Sequence, residues 1–358
     1  GKKFSLRARA SNFEMKDIQE ACMFAHEHGS KVHVTMNIIP HNEDLEGLEE
    51  YIKELDQAGV DAVIVASMYI ASVVKRVAPR IEIHFSTQMS TTNSMAVNFL
   101  ANEGYHRVVL AREVTLEELE QLMPKVGIDI EVFIHGGMCV SYSGRCMLSN
   151  YMTNRDANRG GCAHSCRWNY TLFTDEEEQV SPDKEFHYGS KDLMALRYIP
   201  NLIDLGVSSL KIEGRMKSIY YVATVVRSYR KLIDAYYQSN QTNETLDWDF
   251  YEREIKKAEN RLTSIGFFEG KPTTNEQLYN MRNEVPTKEF VGYVKEYDTA
   301  TQTATIEQRN HFLPGDTLEF FGPKLDNISY TIGEILDEEG NDLDAARHPL
   351  QILKIQVP

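Results

Sequence analysis

Four of this chain's five cysteines fall within 28 residues: Cys139, Cys146, Cys162 and Cys166, spaced C-x6-C-x15-C-x3-C. Their neighbours are Gly, Ser, Asn, Arg and His rather than core residues, with Arg145, Arg155, Arg159, Arg167 and His164 among them. Such thiols can be packed hydrophobes, structural zinc ligands or iron–sulfur ligands. Packing suits core neighbours, which these lack. Zinc elements favour C-x2–4-C pairs, and only Cys162 and Cys166 fit that spacing. Iron–sulfur clusters take four thiolates at varied spacings, and glycine N–H groups near the sulfurs tune them. The spacing leaves zinc and iron–sulfur both open. Cys22, alone in the helical stretch EACMFAHEHG, reads as a packed core thiol.

The rest of the chain bounds what such a centre serves. At 358 residues, 42% hydrophobic and 25% charged, it is long enough for one large domain and a small one. A net charge of −15 argues against a generally basic nucleic-acid binder. The basic residues nevertheless collect around the cysteines and in KIEGRMK (211–217), while acidic residues gather in TDEEEQ and DEEGNDLD. No apolar run approaches the roughly 20 residues of a membrane span, and GKKFSLRARA is no secretory signal. The expectation is a cytoplasmic protein without a membrane partner, where a reducing milieu favours metal ligation over disulfides.

The elements that position these residues alternate. Strands are expected at 31–39, 61–66, 81–86, 106–111, 130–135 and 209–214, with helices near 15–28, 43–58, 69–77, 91–103, 115–123 and 217–238. Runs rich in Val and Ile without strict alternation suit parallel strands buried on both faces. Polar residues follow the strand ends: Asn37, Ser67, Ser86 with Gln88, Arg112 with Glu113, His135, and Glu213 with Arg215. A barrel gathers such ends on one face, so the expected fold is α/β, a (β/α) TIM-like barrel. Six strands are visible where a closed barrel has eight. The expected domains are a barrel over 1–240 with a cysteine insertion at 136–190, a helical linker over 241–286, and a C-terminal β-barrel over 287–358. The last rests on short strands separated by turn signals such as LPGD and EEGND.

The block EVFIHGGMCVSYSGRCMLS (131–149) resembles the signature of the collagenase-like peptidase U-32 family, through Glu131, Phe133, Gly136, Cys139, Gly144, Cys146 and Ser149. It departs at Gly137, where the pattern usually has Ser or Ala. The likeness runs through HFSTQMSTTN, RVVLAREVTLEEL, GSKDL and SLKIEGRMKS. NYMTNRDANRGGCAHSCRWNY is similar to the family's tRNA hydroxylation branch, prephenate-dependent enzymes that make 5-hydroxyuridine at the wobble position. The family pattern starts upstream of Gly1 with a strand, a helix and a second strand, so the expectation becomes a barrel lacking its first two strands. The resemblance implies a [4Fe–4S] cluster held by Cys139, Cys146, Cys162 and Cys166, prephenate as hydroxyl donor, and tRNA as substrate. A paralogous partner subunit or a homo-oligomer fits the same picture.

Roles for the remaining residues follow from charge and position. A dianionic donor needs fixed cations, and Arg forks meet carboxylates in paired bonds, which points to Arg112, Arg145 and Arg215. His84 and His135 suit proton transfer near neutral pH, and Glu213 a general base or a brace for Arg215. Arg155, Arg159, Arg167, Trp168 and Lys211 suit phosphate contact and base stacking, with Lys217, Arg227 and Arg230 extending the track. For each the plainer reading is an ion pair, a satisfied strand-end side chain or a solvated face. Two other functions compete: a thiol peptidase using Cys139 or Cys146 with His135 or His84, and a non-catalytic scaffold tied by its metal. The chain has neither HExxH nor GxSxG.

Overall fold

The structure is a computed structural model that describes residues 3–6, 12–180, 186–259, 261–278, 290–323 and 325–358. The chain divides into two compact units. One comprises Gly1–Lys217, Ile233–Leu246 and Arg261–Glu284; the other comprises Ser218–Leu232, Asp247–Asn260 and Val285–Pro358.

In the first unit the chain runs through α1 (Met15–Glu27), β1 (His33–Met36), α2 (Leu48–Gln57), β2 (Ala62–Val65), α3 (Met68–Val77), β3 (Glu82–Phe85), α4 (Ser94–Asn102), β4 (Arg107–Val109), α5 (Leu116–Leu122) and β5 (Asp129–Gly136). The cysteine segment follows with α6 (Leu148–Thr153), then β6 (Asp192–Met194), α7 (Ile199–Asp204) and β7 (Ser209–Ile212). Next come α8 (Ile219–Gln238) and α9 (Trp248–Lys256), which contribute to the second unit, and β8 (Thr263–Ser264). All six strands expected from the sequence form, and β1-β2-β3-β4-β5-β7 pair in parallel. The fully buried Ala-Val-Ile-Val of β2 shows why: both faces are covered, as a parallel sheet with crossover helices requires. Two short strands were not legible. β6 joins β5 antiparallel, and β8 joins β6 in parallel.

Helix starts are set at the strand ends. Ser67 Oγ accepts from Ile70 N to cap α3, Asn93 Oδ1 accepts from Ala96 N to cap α4, and Thr115 with Glu118 forms a capping box on α5. Ser67 therefore serves first as a cap.

The parallel path is curled. Arg215, just past β7, donates from Nη2 to Thr35 Oγ1 on β1 at 2.6 Å and from Nη1 to Ser5 Oγ at 2.9 Å. Five ladder steps separate β1 from β7, about 24 Å in a flat sheet, far beyond one side chain. Inside the curl lies a polar layer. Lys211 Nζ reaches Glu131 Oε1 at 2.5 Å, Arg107 Nη1 reaches Glu131 Oε2 at 3.4 Å, and Ser209 Oγ donates to Glu131 at 2.8 Å. His84 Nε2 meets Glu82 at 3.1 Å, and its ring sits edge-on to His33 at 4.8 Å. These contacts draw on β1, β3, β4, β5 and β7.

In the second unit β9 (Gly292–Asp298), β10 (Thr303–Gln308), β11 (Thr317–Gly322), β12 (Leu325–Thr331), β13 (Ile335–Leu336), β14 (Asp342–Leu343) and β15 (Ile352–Gln356) form antiparallel sheets. The larger runs β14-β13-β15-β10-β9, and β11 pairs with β12. Ile306, Phe312, Leu353 and Ile355 are among its core residues. Arg227, expected on an RNA track, is 9% exposed and tied to Gly322 O, Leu325 O and Asn327 Oδ1 within this unit. It is a structural brace.

Candidate active site

The cysteine loop is stitched onto the carboxyl ends of the parallel strands. Gly136 closes β5 at φ +118°, and a Cβ there would lie 2.7 Å from Glu213 Cβ, so only glycine lets β5 and the residues after β7 approach so closely. Ser143 N donates to Glu113 Oε1 at 3.0 Å, and Arg112 N to Ser143 Oγ at 3.3 Å, tying the loop to the end of β4. Ser90 Oγ donates to Ser143 O at 2.5 Å and Arg145 Nε to Ser90 Oγ at 3.0 Å, tying it to the end of β3. Gly144, at φ +77°, packs on the Gln88 carbonyl where a Cβ would overlap. Gly144→Ala is therefore expected to displace the loop from β3. Limited proteolysis of the loop measured beside a thermal melt checks this, with the melting point moving by no more than a few degrees.

The second pair of cysteines is fastened to the first. Asn158 Nδ2 donates to Cys146 O at 3.1 Å, Arg155 Nη2 to Cys162 O at 3.3 Å, and Ala163 N to Ser149 Oγ at 3.0 Å. Arg159 anchors the same segment to the loop after β1, pairing with Asp44 at 2.9 Å and Glu43 at 2.6 Å. Ile39 N donates to Asn158 O at 3.0 Å. Arg155 and Arg159, singled out for phosphate contact, thus hold the loop together. Arg167 lies with its guanidinium 3.8 Å from the Cβ position of Gly137, beside Asp192, and Trp168 is 41% exposed.

All four thiols are free, and the charges of Cys139, Cys146 and Cys162 all act on Cys166. Burial, outweighing Arg167, pushes the Cys166 thiol up. Burial pushes Cys162 up as well, but hydrogen bonds from His164 and Ser149 outweigh it and bring it down to about 7. Four thiols, three of which act on the fourth, are the donor chemistry that an iron–sulfur cluster uses. Among the described residues no three His, Cys, Asp or Glu side chains are arranged at metal-holding distances. The fit is therefore one of donor type.

The other candidates divide between the strand ends and the interior. Arg112 stacks its guanidinium on the Phe133 ring at 3.7 Å, beside a small cavity of about 20 Å³ bounded also by Leu193 and Phe268. His135 is 1% exposed, and burial, against the pull of Asp192, brings it down to about 4. His84 is likewise 1% exposed, and burial brings it to about 4 against its bond to Glu82. Both imidazoles are neutral at pH 7. Lys211, expected to meet phosphate, is used inside the sheet on Glu131. Glu213 lies where β7 meets Gly136, and its N donates to His135 O at 2.9 Å. Asp192, not singled out from the sequence, is 4% exposed and holds Arg261 at 3.0 Å and Lys217 at 3.5 Å.

A cleft opens at these strand ends. It encloses about 340 Å³ between Ile39 after β1, Ala66 and Ser67 after β2, Gln88 and Met89 after β3, and Arg145 from the cysteine loop.

A family model for peptidase family U32 matches residues 1–278, and one for the peptidase family U32 C-terminal domain matches residues 286–358. The chain is 49% identical to tRNA hydroxylation protein P1 of Bacillus subtilis (strain 168), over all of this chain and 85% of that protein. It is 31% identical to tRNA hydroxylation protein P of Escherichia coli (strain K12), over 96% of this chain and 85% of that one. It is also 41% identical to the 23S rRNA 5-hydroxycytidine C2501 synthase of Escherichia coli (strain K12), over 66% of this chain and 35% of that protein.

Proposed function

The chain belongs to peptidase family U32, and from that premise we propose that it is an RNA-modifying enzyme that hydroxylates the wobble uridine of tRNA to 5-hydroxyuridine. The observation that carries this reading is the 49% identity to a tRNA hydroxylation protein over all of this chain and 85% of that one, joined to a four-cysteine loop tied to the strand ends. The 5-hydroxycytidine synthase of 23S rRNA among the relatives supports RNA hydroxylation as the shared theme. Cys139, Cys146, Cys162 and Cys166 would hold a [4Fe–4S] cluster. When bound it supplies one-electron chemistry. Prephenate would supply the hydroxyl, its carboxylates met by strand-end arginines, of which Arg112 is fixed on Phe133 and Arg215 on Thr35 and Ser5. Neutral His135, buried at the end of β5, can accept a proton but does not add a standing charge. The curl of the parallel path supports reading this sheet as a (β/α) barrel, whose carboxyl-end face is the usual seat of catalysis.

No helix among the described residues is long and apolar enough to cross a membrane, and the substrate is taken to be cytoplasmic tRNA. A peptidase reading draws on one contact, His164 against Cys162, the pairing a thiol nucleophile uses. It differs from the pairs expected from the sequence, because His84 and His135 are buried.

Anaerobic purification separates these readings. The cluster reading expects about four iron and four sulfide per chain, lost in Cys146→Ala. A colourless protein with one tightly held zinc sinks it. In cells lacking the gene, tRNA is expected to lose its 5-hydroxyuridine-derived nucleosides, and the wild type but not Cys146→Ala to restore them. Unchanged tRNA defeats the hydroxylase. Cleavage of denatured collagen that alkylation abolishes would favour the peptidase.

A further inference from the structure

We propose that the cleft between β1, β2, β3 and Arg145 receives the target nucleotide itself, swung out of its loop, while the anionic donor is met elsewhere on the strand-end face. This rests on the RNA-hydroxylase reading and assigns a place within it. Enzymes that act on a base in a stacked loop must take it out into a pocket, reading its edge by hydrogen bonds and its face by stacking. The cleft has the contents for that. Its volume, about 340 Å³, is of the size small-ligand sites use. Ile39 and Met89 give it apolar walls, and Tyr69, 56% exposed at the start of α3, stands at its side as an open ring face.

Polar side chains in the cleft are few, and Ser67 among them is taken up in capping α3. The Gln88 backbone N is bonded to Ser86 Oγ at 3.2 Å, but its carboxamide makes no hydrogen bond to another described residue. A carboxamide offers one donor and one acceptor side by side, the complement of a pyrimidine's N3–O4 or N3–N4 edge. Arg145 is aimed by the 3.0 Å bond from Nε to Ser90, and its terminal nitrogens face no carboxylate among the described residues. In a chain of net charge −15 an unneutralised guanidinium is an anion site. One cation, neutral polar groups and apolar walls match a nucleotide with its single phosphate charge. A dianionic donor calls for a second cation, which the cleft lacks. Arg145 belongs to the same loop as the cysteines, one residue before Cys146.

The test is binding of a labelled anticodon stem–loop to the anaerobically purified protein, comparing uridine with an abasic site at the target position. The wild type is expected to prefer the uridine loop about tenfold to a hundredfold. Tyr69→Ala and Gln88→Ala should each bring that ratio towards one, and Arg145→Ala should weaken both RNAs alike, since both carry the phosphate. All three side chains are on the surface of the cleft, and a thermal melt confirms that each variant folds. A wild type that binds the two RNAs equally, or Tyr69→Ala and Gln88→Ala variants that keep its ratio, overturns the assignment. Product analysis runs alongside. Hydroxylation with an unmoved ratio defeats the cleft alone, and a moved ratio without hydroxylation by the wild type defeats the hydroxylase reading alone.

Discussion

Lys211→Ala is expected to destabilise the first unit by about 3–5 kcal/mol, the cost of leaving a buried charge without its partner. Glu131 is 5% exposed, and Lys211, Arg107 and Ser209 satisfy its two oxygens. Burial pushes its carboxyl up, and the charge and hydrogen bond of Lys211, with Ser209 and Arg107, together outweigh this and hold it below the usual carboxylate range. Removing Lys211 leaves Arg107 at 3.4 Å, already shared with Asp129 at 2.8 Å. The carboxylate must then either take a proton or unfold the layer. Urea denaturation at pH 7 measures the loss. Lys211→Met with Glu131→Leu should recover most of it, because two well-packed apolar side chains need no ionic compensation. A single variant as stable as the wild type would show that the carboxylate is not held by this ammonium.

Acid is expected to weaken the fold well before the carboxylates titrate. His84 and His135, both 1% exposed, are brought by burial from 6.5 to about 4. A base whose folded pKa is depressed binds fewer protons folded than unfolded between those values. The stability it supports is complete above about pH 6.5 and falls as pH drops towards 4. Each shift corresponds to about 3 kcal/mol at the acid end, so the two together can consume much of a domain's margin. Protonated His84 would face Arg107 and His33 as well as Glu82, and His84 Nδ1 and His33 Nε2 have no hydrogen-bond partner among the described residues. Melting temperature against pH should be level from 7 to 8 and fall steadily from 6.5 to 4. His84→Gln, which cannot be protonated, should flatten that fall at some cost at pH 7. An unchanged slope would assign the acid sensitivity to other groups.

Much of the scaffold was legible because its strands are runs of Val and Ile buried on both faces. β6 and β8 were not, since three residues in GSKDLM and two in LTSIGF carry no such run. The chemistry of the cysteine segment was legible from residue types, but its anchoring was not. Arg159 pairs with Asp44 across 115 residues, and no local spacing shows that. The interior polar layer had a signal that went unused. His33 and Thr35, Glu82 and His84, and Ser209 and Lys211 repeat with period two, the mark of one strand face. Read that way, His84 belongs with Glu82 and Lys211 with Glu131 inside the sheet, rather than in proton transfer and phosphate contact. Gln88 was legible as a strand-end polar residue but Tyr69 carried no motif, and only the cleft brings them together.

Arg215 also bears on the order in which the molecule can assemble. Each parallel pairing from β1 to β5 joins strands a few tens of residues apart, whereas Arg215 meets Thr35 across 180. Closing so long a loop costs entropy that only the completed ladder can offset. The clasp therefore forms last, after successive βα units have brought the far edge of the sheet round to the first. Its loss should speed unfolding while leaving the folding rate almost unchanged.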